Sequence, residues 1–593
     1  MKKVVFSLCV LSSLLISSLV ACKTTAPTSP AAESSLKLEL VARHVSGQYG
    51  EGAAEILGYD AKHHNLYVVN GAAKAIDIIP ISSLPDEVLP LPFSGQNLTS
   101  QRLNLPSSID THEQGRLTIG SPSSLSIHDE LMAVAVTHSD EQQVGAVLFY
   151  QLHSNHTTFI KAVSVGSLPD MVTFTHDGTL ALVANEGEPS HDYRNDPEGS
   201  ISIIEISTEM STKIGTEIGT EIANTATHLS FAQFNNQRAE LEQSGVKFAS
   251  PEGTSVAQDL EPEYITVSVN NDKAFVSLQE NNAIAIIDLA SKRIDAIKGL
   301  GYKDWSQYKI DVSNKDGVNA AYYENLYGLY QPDSLASYQV DGKTYILSAN
   351  EGDAREYIYS ATKAECLAAG HKYDDEDGCI SYSEEYRVKK LSIKSPSVID
   401  SYYKKDGIGR LKVTNVLGDD NNDGMYDKLY SYGARSFSIW DEEGHLVFDS
   451  GDYIEQYLLK HYGEDFNNNE SENQGDSRSD DKGAEPEALI TGVIEGRTYA
   501  FLGLERQGGI MIFDVSDPRQ PVFQSYTNNR DFSQEFEIDD DTDPVTLKGA
   551  YDQVGDLAPE GLVFISAADS PTGKPLLAVA NEVSGSVSIY SIQ

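Results

Sequence analysis

The feature that most constrains this chain is a frame repeated along it. Each frame opens on Pro plus an acid: Pro169-Asp170, Pro262-Glu263, Pro332-Asp333, Pro486-Glu487 and Pro559-Glu560. It closes on Asn185-Glu186, Gln279-Glu280, Asn350-Glu351, Leu504-Glu505 or Asn581-Glu582. A self-similar unit of this size signals stacked or radially repeated elements, so equivalent positions end up close in space. The segments 66–81, 131–152, 180–206, 274–289, 345–349, 499–515 and 576–592 share the same grammar. An apolar strand ends in a polar turn, and a second strand with period-2 alternation follows, as in Gly199-Ser-Ile-Ser-Ile-Ile-Glu-Ile206. Seven such units with no regular intervening helix predict an all-β fold, a seven-bladed β-propeller. A set of β-sandwiches is the runner-up, and the constant order within each frame argues against it. Leu36, Leu38 and Leu40 alternate with polar residues and are expected to complete the last blade.

Two stretches break the period. Residues 207–258 hold a Gly-Thr-Glu-Ile run and a predicted short helix at 233–243. Residues 353–480 read as one large insertion between blades, with a helix over 453–462. Long excursions on a rigid scaffold commonly carry function.

The N-terminus reads as a targeting segment. Lys2 and Lys3 precede an apolar run, and Leu19-Val20-Ala21-Cys22 has the form of a bacterial lipobox. The expectation is cleavage of residues 1–21, lipidation of Cys22, a tether over 22–36 and a propeller over 37–593, held at the outer membrane or cell surface by acyl chains alone. Lys23, in place of Asp, favours the outer membrane. Cys366 and Cys379 are the pair left in the exported part and are expected to form a disulfide, worth ~3 kcal/mol by loop closure.

The net charge of −44, from 88 acidic against 44 basic residues, argues against nucleic acid and favours metal cations or cationic ligands. The sharpest local motif is Asp419, Asn421, Asp423 and Asp427, with Gly424 at the turn. Alternate oxygens with a central Gly suit calcium. A full EF-hand would place Glu at position 430, where Tyr430 stands, so the expectation is a shortened loop. An Asx-rich turn without an ion is the plain alternative.

Several segments resemble the choice-of-anchor I family: 168–174, Ala184-Asn-Glu-Gly-Glu-Pro189, 259–264, Ala349-Asn-Glu-Gly-Asp-Ala-Arg-Glu356, 435–440, 478–483 and 580–585. That family includes mesenchyme-specific cell-surface glycoproteins associated with biomineralisation. The resemblance implies a seven-bladed propeller of the YVTN or WD-repeat type. Some members are labelled alkaline phosphatases, and members often carry a C-terminal sorting signal, which the sequence ending at Gln593 does not show.

On seven blades the frame acids face one axis. Asp170, Glu186, Glu263, Glu280, Asp333, Glu351, Glu487, Glu505, Glu560 and Glu582 are therefore a candidate carboxylate ring, suited to calcium or another hard cation. The competing reading is that each acid caps its own turn. Arg355, Arg478 and Arg506, with Lys482, lie close in sequence to ring members. If they shared one pocket with a cation, a phosphorylated ligand would fit, and a metal-dependent phosphomonoesterase using Glu351, Arg355, Arg478, Glu505 and Arg506 would follow. If they neutralise neighbouring acids, a binding or adhesion module is the better reading. No nucleophile elbow, phosphate-binding loop or zinc-helix motif is present.

Overall fold

The computed structural model describes residues 35–593 apart from 86, 210–218, 376–377, 395–406, 541 and 543. The expected signal segment, Cys22 and nearly all of the tether lie outside these residues. Within the compact unit Leu36–Gln593, seven sheets of four or five strands carry the architecture.

The first sheet is Leu57–Asp60, Asn65–Asn70, Ala75–Pro80 and Gln101–Asn104. The second is built on Gly115–His128, Leu131–His138, Val144–Leu152 and Thr157–Ser167, and the third on Pro169–Phe174, Leu180–Asn185 and Ser200–Glu209. The fourth runs Ile265–Val267, Lys273–Leu278, Ala283–Asp288, Arg293–Gly299. The fifth is Leu335–Val340, Lys343–Asn350, Ser436–Asp441 and Leu446–Asp449; the sixth is Pro486–Ile494, Arg497–Leu504, Ile510–Asp514 and Val522–Thr527. The seventh joins Pro559–Ile565, Leu576–Asn581 and Ser586–Ile592 to Leu38–Val45 from the other end of the unit.

Each sheet's first strand contacts that of the next, and the seventh contacts the first. Antiparallel meanders following one another in this way are the arrangement of a β-propeller.

The middle strands read as nearly continuous apolar runs because both faces are covered. In the third sheet Leu182, Ala184, Ile201 and Ile203 pack with Ala274, Val276 and Leu278 of the fourth. Alternate residues Ala181, Val183 and Ile204 pack with Ala133, Val147 and Phe149 of the second. One strand thus feeds two layers of core, the period-2 geometry of a sheet between two others.

Leu38–Val45 pairs antiparallel with Ser586–Ile592, as the Leu36, Leu38, Leu40 alternation predicts. Cys366 and Cys379 form the expected disulfide.

The large insertion differs from its prediction. Ser436–Asp441 pairs with Lys343–Asn350, and Leu446–Asp449 pairs with Ser436–Asp441, so 353–480 is two excursions flanking half a sheet. The first carries the sheet of Glu356–Tyr359, Lys372–Asp374 and Gly378–Ser383 with the helix Lys363–Ala369. The second carries the helix Tyr453–Tyr462. The apparent insertion arose because a blade strand was separated from its partner by more than eighty intervening residues.

Candidate functional site

The turns that open and close each frame divide their labour between neighbouring residues. Asn185 accepts a hydrogen bond from the Gly166 amide and donates to Ser200 and Ser202. Asn350 donates to Ser436 and Ser438, and Asn581 donates to the Ser586 carbonyl. The Asn therefore holds the turn. Among the described residues, Asp170, Glu186, Glu263, Glu280, Glu487, Glu560 and Glu582 accept no backbone amide bond in the hydrogen-bond network. For these seven, turn capping does not explain the recurring carboxylate.

Two backbone devices aim the opening acid. Ladder register shifts between Pro169 and Met171, Pro486 and Leu489, and Pro559 and Gly561. Asp170, Glu487 and Glu560 thus sit in β-bulges, which redirect a side chain out of the regular alternation. The residue before the proline is left-handed in four frames: Leu168 (φ 46°), Gln331 (φ 43°), Glu485 (φ 54°) and Ala558 (φ 57°). A side-chain-bearing residue before proline pays for that conformation, and such strain concentrates at functional sites. After the closing acid, Gly187 (φ 75°) and Gly352 (φ 94°) take the sharp turn, and a Cβ on Gly187 would lie 2.8 Å from the Glu198 carbonyl oxygen.

These devices gather acids from different sheets. Carboxylate oxygens lie within 4.8 Å of one another in four sets: Glu186, Glu263, Glu280; Glu186, Glu188, Glu261; Asp333, Glu351, Glu487; and Glu351, Glu485, Glu505. The charge of Asp170 raises Asp333, and those of Glu582, Glu55 and Asp333 raise Glu560. Frame acids of the third and fourth sheets thus meet in one group, and those of the fifth and sixth in another. Four members were missed. Glu188 was visible in the Asn-Glu-Gly-Glu run. Glu55 opens a blade without a proline. Glu261 and Glu485 occupy the residue before it.

The basic residues are committed to the acids. Arg355 Nη1 donates to Glu261 Oε1 at 2.5 Å, with Arg355 2% and Glu261 0% exposed. Glu485 takes Arg478 at 2.6 Å, Arg506 at 3.0 Å and Lys482 at 3.1 Å. Lys482 also donates to Glu351 at 2.5 Å, and Arg506 also pairs with Glu470 and Glu505. A hydrogen bond from Gln279 Nε2 to Glu351 Oε2, 2.9 Å, ties the fourth sheet to the fifth. The three arginines proposed as a phosphate clamp are each held by carboxylates.

Like charges about 4 Å apart repel by ~4 kcal/mol at an effective dielectric of 20. Three ionised acids in one set would cost roughly 12 kcal/mol, comparable to the whole stability of a domain. The set must therefore hold protons or a cation. Burial, then the neighbouring acids, push Glu186, Glu263, Glu487 and Glu560 well above the carboxylate range. Burial and Glu280 raise Asp170 to about 7; burial, with Glu582 and Asp170, raises Glu55 to about 9.

The Asp419 loop is a different object. Its Oδ atoms accept the amides of Asp423 and Gly424 at 3.0 and 2.7 Å, and Asn421 accepts the Asp423 amide. Gly424 has φ 80°. Lys394 Nζ stands 3.2 Å from Asp423 and 3.4 Å from Asp427. The backbone has the turn the motif requires, and an ammonium faces two of its four oxygens.

Comparison with known proteins agrees with the resemblance read from the motifs. The chain is 28% identical over 302 residues to the mesenchyme-specific cell surface glycoprotein of Strongylocentrotus purpuratus, covering 47% of this chain and 38% of that protein. It is 32% identical over 196 residues to gigasin-3a of Magallana gigas, covering 31% of this chain and 65% of the relative. The chain thus matches less than two thirds of either relative's length. Among solved structures, the Kuenenia stuttgartiensis hydrazine synthase aligns over 92% of this chain and 99% of its own at 10% identity and TM-score 0.40. The Swd1 propeller domain of Myceliophteria thermophila aligns over 94% of this chain and 100% of its own at 8% identity and TM-score 0.36. The family model described as the choice-of-anchor I domain matches residues 55–518, and the chain belongs to that family.

Proposed function

We propose that this chain is a seven-bladed, lipid-anchored propeller at the cell surface, working as a binding module whose ligand end is the carboxylate mouth. A divalent cation, calcium by preference, supplies the missing positive charge. The seven consecutive sheets support the blade count, and Leu38–Val45 serves as the closing strand. Family membership and a relative named as a cell surface glycoprotein support the location. Cys22 in its lipobox supports the anchor. A Cys22→Ser change should release the protein from the membrane fraction; retention there would count against the lipid.

The observation that carries the binding reading is the gathering of acids from several sheets with carboxylate oxygens that have no hydrogen-bond partner among the described residues, among them Glu263 Oε2, Glu280 Oε2 and Glu487 Oε2. The phosphomonoesterase reading has less support, because Arg355, Arg478 and Arg506 are spent on Glu261, Glu485 and Glu505. The Asp419 loop is a second, weaker calcium site in this reading, one that must displace Lys394.

Calorimetric titration of the 36–593 unit tests the reading. Saturable calcium binding is expected, with stabilisation near 2.7 kcal/mol at a hundredfold excess over Kd. No binding of calcium, magnesium or manganese at millimolar concentration would sink it.

A further inference from the structure

We infer that the mouth has one principal cation site, formed by Glu186, Glu263 and Glu280 and taking a single calcium-like ion, while the Glu351, Glu485, Glu505 set takes none. The inference rests on the binding reading above and assigns its place.

One carboxylate oxygen from each of the three lies within 4.8 Å of the others. Glu263 and Glu280 are 8% and 7% exposed, and the Oε2 atom of each has no hydrogen-bond partner among the described residues. A buried carboxylate oxygen without a donor is costly. Two of them in one set mark a place for an electrophilic guest. Among the described residues no Lys, Arg or His forms an ion pair with Glu186, Glu263 or Glu280, whereas Lys482, Arg478 and Arg506 crowd onto Glu485. An ammonium or guanidinium already occupies the cation position of that second set.

The donor chemistry selects the ion. All the donors are carboxylate oxygens, which suits a hard cation and disfavours copper or zinc. Three carboxylates, each able to bind through two oxygens, match calcium's demand for roughly six to eight oxygens in an irregular shell. Magnesium requires a near-ideal octahedron and sheds its water reluctantly, so it should bind this set less well. Three acids against a divalent ion leave residual negative charge, which Asp170, beside Glu280, increases.

Equilibrium dialysis with labelled calcium provides the test, on the wild-type 36–593 unit, a Glu263→Gln/Glu280→Gln variant and an Asp419→Asn/Asp423→Asn variant. The wild type should bind calcium, and the first variant should lose one equivalent or bind at least tenfold more weakly. The loop variant should keep the tight equivalent. The Gln variant should melt no lower than the wild type in chelator, which certifies its fold. If it fails to fold, Glu263→Asp is the substitute, expected to weaken calcium at least tenfold. A folded Gln or Asp variant with unaltered stoichiometry and affinity would overturn the assignment and leave the broader binding reading standing. Wild type that binds no divalent cation would overturn both.

Discussion

The two halves of the acidic mouth are built from the same repeat and carry opposite electrostatic solutions. Around Glu485 every carboxylate meets a cation: Arg478, Lys482 and Arg506 converge on a side chain that is 0% exposed. Around Glu263, among the described residues, no base forms an ion pair with the acids, which crowd one another. A repeated carboxylate is thus not a single signal. Where bases have been supplied, it is an internal brace; where they have not, the repeat leaves a charge for something else to answer.

The contrast can be broken most forcefully at the brace. Glu485→Gln removes the acid that three cations share and should cost about 3–5 kcal/mol, read from chemical denaturation. A loss below about 1 kcal/mol would mean that the ion pairs do not hold the arc. Acidity probes the other half. Asp170 stands near 7 in the folded protein against about 3.8 unfolded, and Glu188 is raised to about 7. A carboxyl raised on folding holds its proton more tightly when folded, so its contribution is complete below about pH 4 and is lost as pH rises through about 7. In chelator, stability should therefore fall between pH 4 and 8, by up to about 4 kcal/mol for Asp170 alone. Calcium should flatten that fall, and a melt independent of pH in chelator would contradict it.

Replacing the bare acids gives a smaller, opposite effect. Glu263→Gln/Glu280→Gln in chelator should stabilise by roughly 1–3 kcal/mol at pH 8 and by less at pH 5, because burial raises Glu186 and Glu263 and favours their protonated forms as pH falls. Destabilisation at both pH values would show the two acids to be structural. The smallest change belongs to the exposed loop. Asp419→Asn should shift calcium-free stability by no more than about 1 kcal/mol. A large loss would make that turn a fold determinant.

Much of this arrangement was legible because the propeller repeats its instructions. The Pro-acid and Asn-acid pairs marked both ends of the inner strands, and their phase pointed to the acids that gather between neighbouring sheets. What escaped had physical reasons. Glu261 and Glu485 stand immediately before the proline, a position whose left-handed backbone at Glu485 cannot be read from residue type. Glu55 lacks the proline that flagged the other frames. The 353–480 stretch looked like one insertion because Ser436–Asp441 meets its partner Lys343–Asn350 only after a long detour. The sequence also placed Arg355, Arg478 and Arg506 near the ring without saying which acid each would take, since ion pairing is decided by distances across sheets.

The seventh sheet imposes an order in time. Its edge strand, Leu38–Val45, is made long before its partner, Ser586–Ile592. Until residues 586–592 emerge, Leu38–Val45 has no ladder to join. Joining ends so far apart in sequence adds only a logarithmic entropy penalty, but it favours slow folding through non-local contacts. Nascent chain stalled short of residue 586 would carry an open edge able to pair with another copy. For this protein, the seventh sheet gains its fourth strand only once residues 586–592 have been made.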